Sequence, residues 1–563
     1  MRSAHLATAL AAGIIGTVEI GAVRQNSSVL AVSLPNDDKT IVHVLNRIGF
    51  GPRPGPISDI EKVRAMGLQV YIDQQLHPER IPDAAMETRL AGLTTLGLSS
   101  REIAQQFALP VLEARRDRKQ AAANQADPAQ PQQMPNPLQQ QANRVMVELS
   151  EQKMLRAIYS DRQLQEVLTD FWFNHFNVDA RKGQDRFMLT AYERDTIRPH
   201  VLGTFRDLLE AAAQSPAMLF YLDNWMSADP NGPHSDDLQR RPRIFGPGRP
   251  GRGGQTFPNA PARQANAQQN MRKGLNENYG RELMELHTLG VDGGYTQKDV
   301  TEVARAFTGW TILNPRMGGG FVFDRRIHDP GQKVVLGHVI KAGGGENDGE
   351  QVLDILARHP STARFIATKL ARRFVSDTPP AALVDRVAAR FRETDGDLRE
   401  VMRTLLTSPE FLSPDAYRAK VKTPFEFAIS AVRATGVEVQ DARPLVFAMQ
   451  QLGMPLYMCQ PPTGYKDTAD AWVNTGALVN RMNFALQLAS NNLRRAPRDG
   501  RADLRTGRDN EAGGNGLQAV PNRIVETVLN NDVSNTTRDT IAKATKVEQT
   551  IALTLGSPEF QRR

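Results

Sequence analysis

The sequence holds a single cysteine, Cys459. That excludes an intramolecular disulfide framework and every zinc or iron-sulfur arrangement built on several thiolates, so a metal site would have to draw on His, Asp and Glu. No internal run approaches the roughly 18 apolar residues of a membrane-spanning helix. Charge of one sign is also scarce. The 69 Lys and Arg against 62 Asp and Glu leave +7 over 563 residues, which gives no reason to expect nucleic acid as a partner unless the cations cluster. HExxH, GxSxG, Walker and CxxC motifs are missing. GPGRPG at Gly246 to Gly251 satisfies GxGxxG in form alone, with no strand before it and no helix-forming run after it.

What is present is apolar enough, at 40%, for a sizeable core. At the N-terminus Arg2 precedes an apolar run from Leu6 to Val18, and Val29-Leu30-Ala31 supplies small residues at cleavage-site spacing. Residues 1–31 therefore read as a secretory signal peptide processed near Ala31, although Gly13, Gly16 and Glu19 weaken its apolar core. After processing no transmembrane anchor remains. Three stretches, 117–144 (rich in Gln, Ala and Pro), 228–270 (six arginines amid Gly and Pro) and 494–516 (Arg, Asp and Gly), have too little apolar content to order themselves and read as disordered surface insertions. Between them the periodicity is helical. Ser-Pro recurs after helical patterns at Ser215, Ser408 and Ser557, where Ser caps and Pro fits the first helical position. Strand signals are confined to Phe321–Phe323 and Lys333–Ile340, joined through Asp329-Pro330-Gly331 in one expected hairpin. The expected fold is mainly α: one large multi-helical domain over 38–563 with one short β-hairpin and low-complexity insertions.

Two segments concentrate polar residues. In residues 274–310 a regular helix places Asn278, Arg281, Glu282 and Glu285 on one side and Tyr279, Leu283 and Leu286 on the other, while His287 lies about 160° from Glu285. Gly290 reads as its C-cap. Thr296 then caps a second helix with Asp299, whose buried stripe is Val300, Val303, Phe307 and Trp310. The glutamate pair could share a proton, hold a hard cation or act as acid and base; equally, it could be a solvated face. In residues 164–178 His175 falls in the apolar arc of Leu164, Val167, Leu168 and Phe171, so a buried His175 must be paired or ligated, with Asn174 at the edge of that arc. His328 and Asp329, followed by Lys333, are further binding candidates, expected on a solvated turn.

The runs HVLNRIGFGPRPGPISDI, FWFNHFNV, NENYGRELMELHTLGVDGGYTQKDVTEVARAFTGW, HDPGQKVVLG, HPSTARFIATKLARRFVSD and SPEFQ together resemble the bacterial family known as domain of unknown function 1800. The resemblance spans nearly all of the chain after the signal region. It implies a large helical, often exported protein, commonly encoded beside a second exported family, domain of unknown function 1501, which is similar to sulfatases and alkaline phosphatases. It carries over no activity, cofactor or metal. Three functions stay open: a binding or assembly partner of that phosphatase-like family; a hydrolase using His175 with Glu282 and Glu285, with or without a divalent metal; and polyanion binding by the arginine-rich stretch.

Overall fold

The structure is a computed structural model and describes residues 34–55, 57–123, 137–232, 274–490, 525–526 and 529–563. The expected signal peptide, the stretch 494–516 and residues 233–270 of the second stretch lie outside the described residues. The first stretch is drawn too wide. Residues 117–123 continue the Leu109–Ala123 helix and 137–144 open the Pro137–Tyr159 helix, where Ala142 is fully buried. Its Gln-rich composition hid one apolar side that packs on Ile103, Phe107 and Phe187.

Local chemistry sets many helix starts. Ser58 with Glu61, Ser99 with Glu102, Thr296 with Asp299 and Thr423 with Glu426 form reciprocal capping boxes, each satisfying two backbone donors that a helix end leaves open. Ser557 caps its helix and precedes Pro at the first helical position as expected; Ser215 precedes Pro too, but its hydroxyl does not cap the helix. Ser408 departs from that pattern: its hydroxyl accepts from the Phe411 amide at 3.2 Å in a turn, not at a helix start. Helices adjacent in the chain pack on one another, as do Pro360–Phe374, Ala381–Glu393 and Leu398–Leu406, while Thr475–Ala489 packs on the distant Val547–Gly556. The described chain from Pro35 onward clusters into one compact unit.

Two hairpins replace the one expected. Strand β1 (Trp310–Ile312) pairs antiparallel with β2 (Phe321–Phe323), Trp310 opposite Phe323. Strand β3 (Lys333–Val335) pairs with β4 (His338–Ile340). The connection between β3 and β4 is Leu336-Gly337, both at positive φ (49° and 81°), as a two-residue hairpin turn requires. Asp329-Pro330-Gly331 joins the two hairpins instead. Asp329-Pro330-Gly331 does turn the chain, and Lys333–Ile340 is two strands rather than one because the chain reverses at Leu336-Gly337.

Val300, Val303, Phe307 and Trp310 are all fully buried, as the helical period predicts. Against Trp310 lies Gly349, in the interior of the Glu346–Arg358 helix, where a Cβ would come within 2.5 Å of the indole. Glycine inside a helix costs about 1 kcal/mol relative to alanine, so this position is held by the close approach. Gly349→Ala should therefore destabilise the protein by about 1–3 kcal/mol in denaturant titration; a stabilised variant would show that the indole does not press on this helix.

Candidate functional site

The Gln163–His175 helix carries its apolar arc into the core: Leu164, Val167, Leu168 and Phe171 are buried, and His175, its last residue, is 1% exposed. His175 Nε2 lies 3.0 Å from the His287 carbonyl and Nδ1 lies 2.9 Å from Lys369 Nζ. A carbonyl only accepts, so Nε2 carries the hydrogen and Nδ1 accepts from the lysine amine. Trp172 and Phe176 meet the ring edge to face at 5.3 and 4.5 Å. Burial first, then the charge of Lys369, holds His175 well below its ordinary pKa, and burial pulls the His287 ring down to about 3. Lys369 has a partly exposed stem and an inward-turned amine, and burial pulls its pKa to about 8.

The neighbouring asparagines fasten a loop. Asn174 Nδ2 donates to the Tyr465 carbonyl at 2.8 Å, and its Oδ1 accepts from the Tyr465 amide at 2.7 Å. Asn177 Nδ2 donates to the carbonyls of Cys459 and Pro461, each at 2.9 Å. Gly464, at φ +73°, lets this loop lie flat on the helix end, since a Cβ there would sit 2.2 Å from the Asn174 carbonyl.

The second polar segment is not a regular helix. Glu277–Glu282 is α-helical, but Leu283–Thr288 widens into a π-turn. The wider turn changes the wheel: Leu286, expected on the apolar side, is only half-buried, while His287, which a uniform 100° step already places opposite Glu285, is buried. π-turns inside α-helices are frequent at functional sites. Gly290 ends the segment at φ +83°, and a Cβ there would meet the Phe365 ring at 2.9 Å; that ring forms a wall beside His175.

Glu282 and Glu285 do face the same way. Burial first, then the charge of Glu285, raises the Glu282 carboxyl, with Arg281 opposing. Glu285 accepts from the Tyr295 hydroxyl at 2.8 Å, Arg281 donates to Gln297 at 2.6 Å, and Asn278 is exposed. None of these four bonds to His175, whose ring nitrogens are both taken by other groups.

His328 and Asp329 correct the expectation of a solvated turn, being 5% and 9% exposed. His328 Nδ1 donates to the Thr308 carbonyl at 2.7 Å and Nε2 faces Asp348 at 3.2 Å. The fully buried Lys333 completes this group, its amine 2.6 Å from the same Asp348 oxygen. Asp329 pairs with Arg305 at 2.7 Å, and Arg305 with Glu302 at 2.9 Å. The turn is drawn inward because helix Gln297–Ala306 offers it these partners. Asp348 supplies the countercharge.

Sequence reasoning passed over His287 and Lys369. The helical period sets His287 opposite Glu285 but does not say which group its carbonyl meets. Lys369 is flanked by buried Ile366 and Leu370, but lysine at the edge of an apolar face ordinarily extends its amine to water. Among the described residues no group of three or more His, Cys, Asp or Glu is arranged to hold a metal ion. What His175 and Lys369 offer is a neutral imidazole accepting a hydrogen bond from an amine of lowered basicity, in an aromatic enclosure.

Two stability measurements test this geometry. His175 and His287 are depressed in the folded protein, so the unfolded chain binds more protons below about pH 6.5, and stability present above that pH is lost as pH falls. For His287 the loss between pH 7.5 and 5 should be about 2 kcal/mol, and His287→Leu should remove about that much of the pH dependence measured by denaturant titration. An unchanged dependence would mean that His287 titrates freely. Asp348→Ala leaves Lys333 and His328 buried without their carboxylate and should cost about 3–5 kcal/mol, read as a lowered denaturation midpoint.

No curated protein and no solved structure matched the chain. One family model matches residues 43–562, taking in both polar segments, both hairpins and the Pro360–Phe374 helix. On that match the chain belongs to the family described as protein of unknown function (DUF1800).

Proposed function

We propose that this protein is an exported binding or assembly protein, periplasmic or extracellular, whose partner is the phosphatase- and sulfatase-like exported family, domain of unknown function 1501. The observation that carries the reading is how the polar candidates are used. His175, Asn174, His328 and Asp329 each hold one part of the chain to another, and an acid-base residue needs a lone pair or proton turned toward a substrate. The apolar N-terminal run supports export. Among the described residues no helix is long and apolar enough to cross a membrane. The partner follows from the family resemblance, in which the two exported families are commonly encoded together.

A hydrolase is the second reading, and Glu282 favours it. That carboxylate is half-buried, its pKa is raised, and its side chain forms no hydrogen bond among the described residues, which suits a general acid. Polyanion binding depends on the arginine-rich stretch, which lies outside the described residues from 233 onward.

One preparation separates these readings. Purified protein mixed with the phosphatase-like product encoded beside it should co-elute in size exclusion, with Glu282→Gln co-eluting equally well and neither form hydrolysing phosphate or sulfate esters. Separate elution together with ester turnover that falls 100-fold or more in Glu282→Gln would replace the binding reading with the hydrolase. Export is checked by mass spectrometry of protein from its native host: a mature N-terminus near residue 32 is expected, whereas an intact Met1 in the cytoplasm overturns it.

A further inference from the structure

Away from the residues discussed so far, the interior gathers cations. Arg47, Arg373, Lys420, Lys422, Arg481 and Arg563 are each 4% exposed or less. Three carboxylates answer them. Glu426, itself 3% exposed, pairs with Arg373 at 2.6 Å and Arg563 at 2.9 Å; Asp467 reaches Arg373 at 3.4 Å, and Asp377 pairs with Lys420. Backbone carbonyls take part of the remainder, with Ala416 accepting from Arg47 and Lys422 from Arg481. Six buried side-chain cations meet three side-chain carboxylates, so the side chains here carry an excess of positive charge, and an unmatched charge in a protein interior is costly.

The unmatched groups border one space. A cavity with room for about one water-sized particle is lined by His43, Tyr417, Arg418, Lys422, Glu559 and Arg563, among others. The Lys422 amine rests 4.0 Å above the Phe560 ring and meets no acceptor among the described residues. Arg563 uses Nη2 for Glu426 and the Arg373 carbonyl, and its Nε and Nη1 have no partner among the described residues. Arg47, behind it, leaves Nε and Nη1 equally unpartnered. Among the lining side chains Glu559 is the one carboxylate, and it is tied to the Ser534 amide at 2.9 Å and the Thr537 hydroxyl at 2.9 Å.

We propose that this cavity binds a chloride-sized anion between Lys422 and Arg563. The small cavity favours a small ligand: a phosphate or sulfate needs many times the volume of one water, whereas a halide ion is the smallest common anion. The chemistry also fits, because an ammonium and guanidinium N–H groups are donors that a spherical anion satisfies without directional acceptors. Burial, opposed by the charge of Glu426 and reinforced by Arg418, Arg563 and Arg481, pulls Lys422 to about 7, and burial lowers Arg47 and Arg563. A bound anion would hold them charged. It would also lock together the Asp38–Arg47 helix, the Lys422 segment and the Pro558–Gln561 helix that enclose it.

The test uses the full chain at constant ionic strength, with sodium chloride or bromide exchanged for sodium gluconate, whose anion is too large to enter. A saturating rise in melting temperature of roughly 2 °C or more in either halide is expected, together with an anomalous bromide peak between Lys422 and Arg563 in crystals grown in bromide. Lys422→Met keeps most of the side chain's length, removes its charge and should abolish both signals; if that variant does not fold, the bromide peak in the wild-type protein decides. Equal melting temperatures in all three salts with no peak in the cavity would overturn the proposal. Peaks confined to the exposed surface would show an adventitious ion only and overturn it as well.

Discussion

Glu426 is the carboxylate on which three distant parts of the chain converge. It closes the capping box at the start of its own helix with Thr423, pairs with Arg373 on the Pro360–Phe374 helix, and pairs with Arg563. Burial alone would raise its pKa, yet the two guanidiniums hold it down at about 2. A charge this deep is tolerated only with its partners in place, so the helices carrying them have little freedom to move apart. The same constraint recurs at Asp348 between Lys333 and His328, and at Glu193, which receives Arg198 at 3.3 Å and the Tyr457 hydroxyl at 2.6 Å. Buried polar groups in this molecule act as registration points for an otherwise apolar helical core.

The FWFNHFNV segment follows the same logic with neutral groups. Within four residues Asn174, His175 and Asn177 reach three separate parts of the chain: the loop from Cys459 to Tyr465, the π-turn at His287, and Lys369 on the Pro360–Phe374 helix. Hydrogen bonds between neutral groups contribute about 1 kcal/mol each. Their main effect is directional, since a loop pinned by both its amide and its carbonyl cannot slide along the helix. Polar density in a sequence can thus report fastening as readily as catalysis, and the two differ only in whether the last lone pair is already used.

Much of this was legible in the sequence. Helical class, the Thr296–Asp299 capping box, the stripe from Val300 to Trp310 and the burial of His175 all follow from periods and caps that act over a few residues. The family was legible too, from long runs spread across the chain. The misreadings have a common origin. A uniform helical wheel cannot anticipate the π-turn at Leu283–Thr288, and one strand over Lys333–Ile340 ignored a turn that Leu336 and Gly337 enter together. Likewise, the turn at His328 and Asp329 looked solvated because its partners, Arg305 and Asp348, are about 20 residues away.

By itself, then, the sequence determined which segments are helices, where many of them begin, and which faces turn inward, because hydrophobic period and capping are local properties of the chain. Tertiary structure alone decided which polar groups meet. His175 came to rest on Lys369 rather than on Glu282, and six cations closed around Glu426, Asp467 and Asp377. The physical reason is that pairing depends on distance in space, and the energy that selects a partner appears only when both groups have left water.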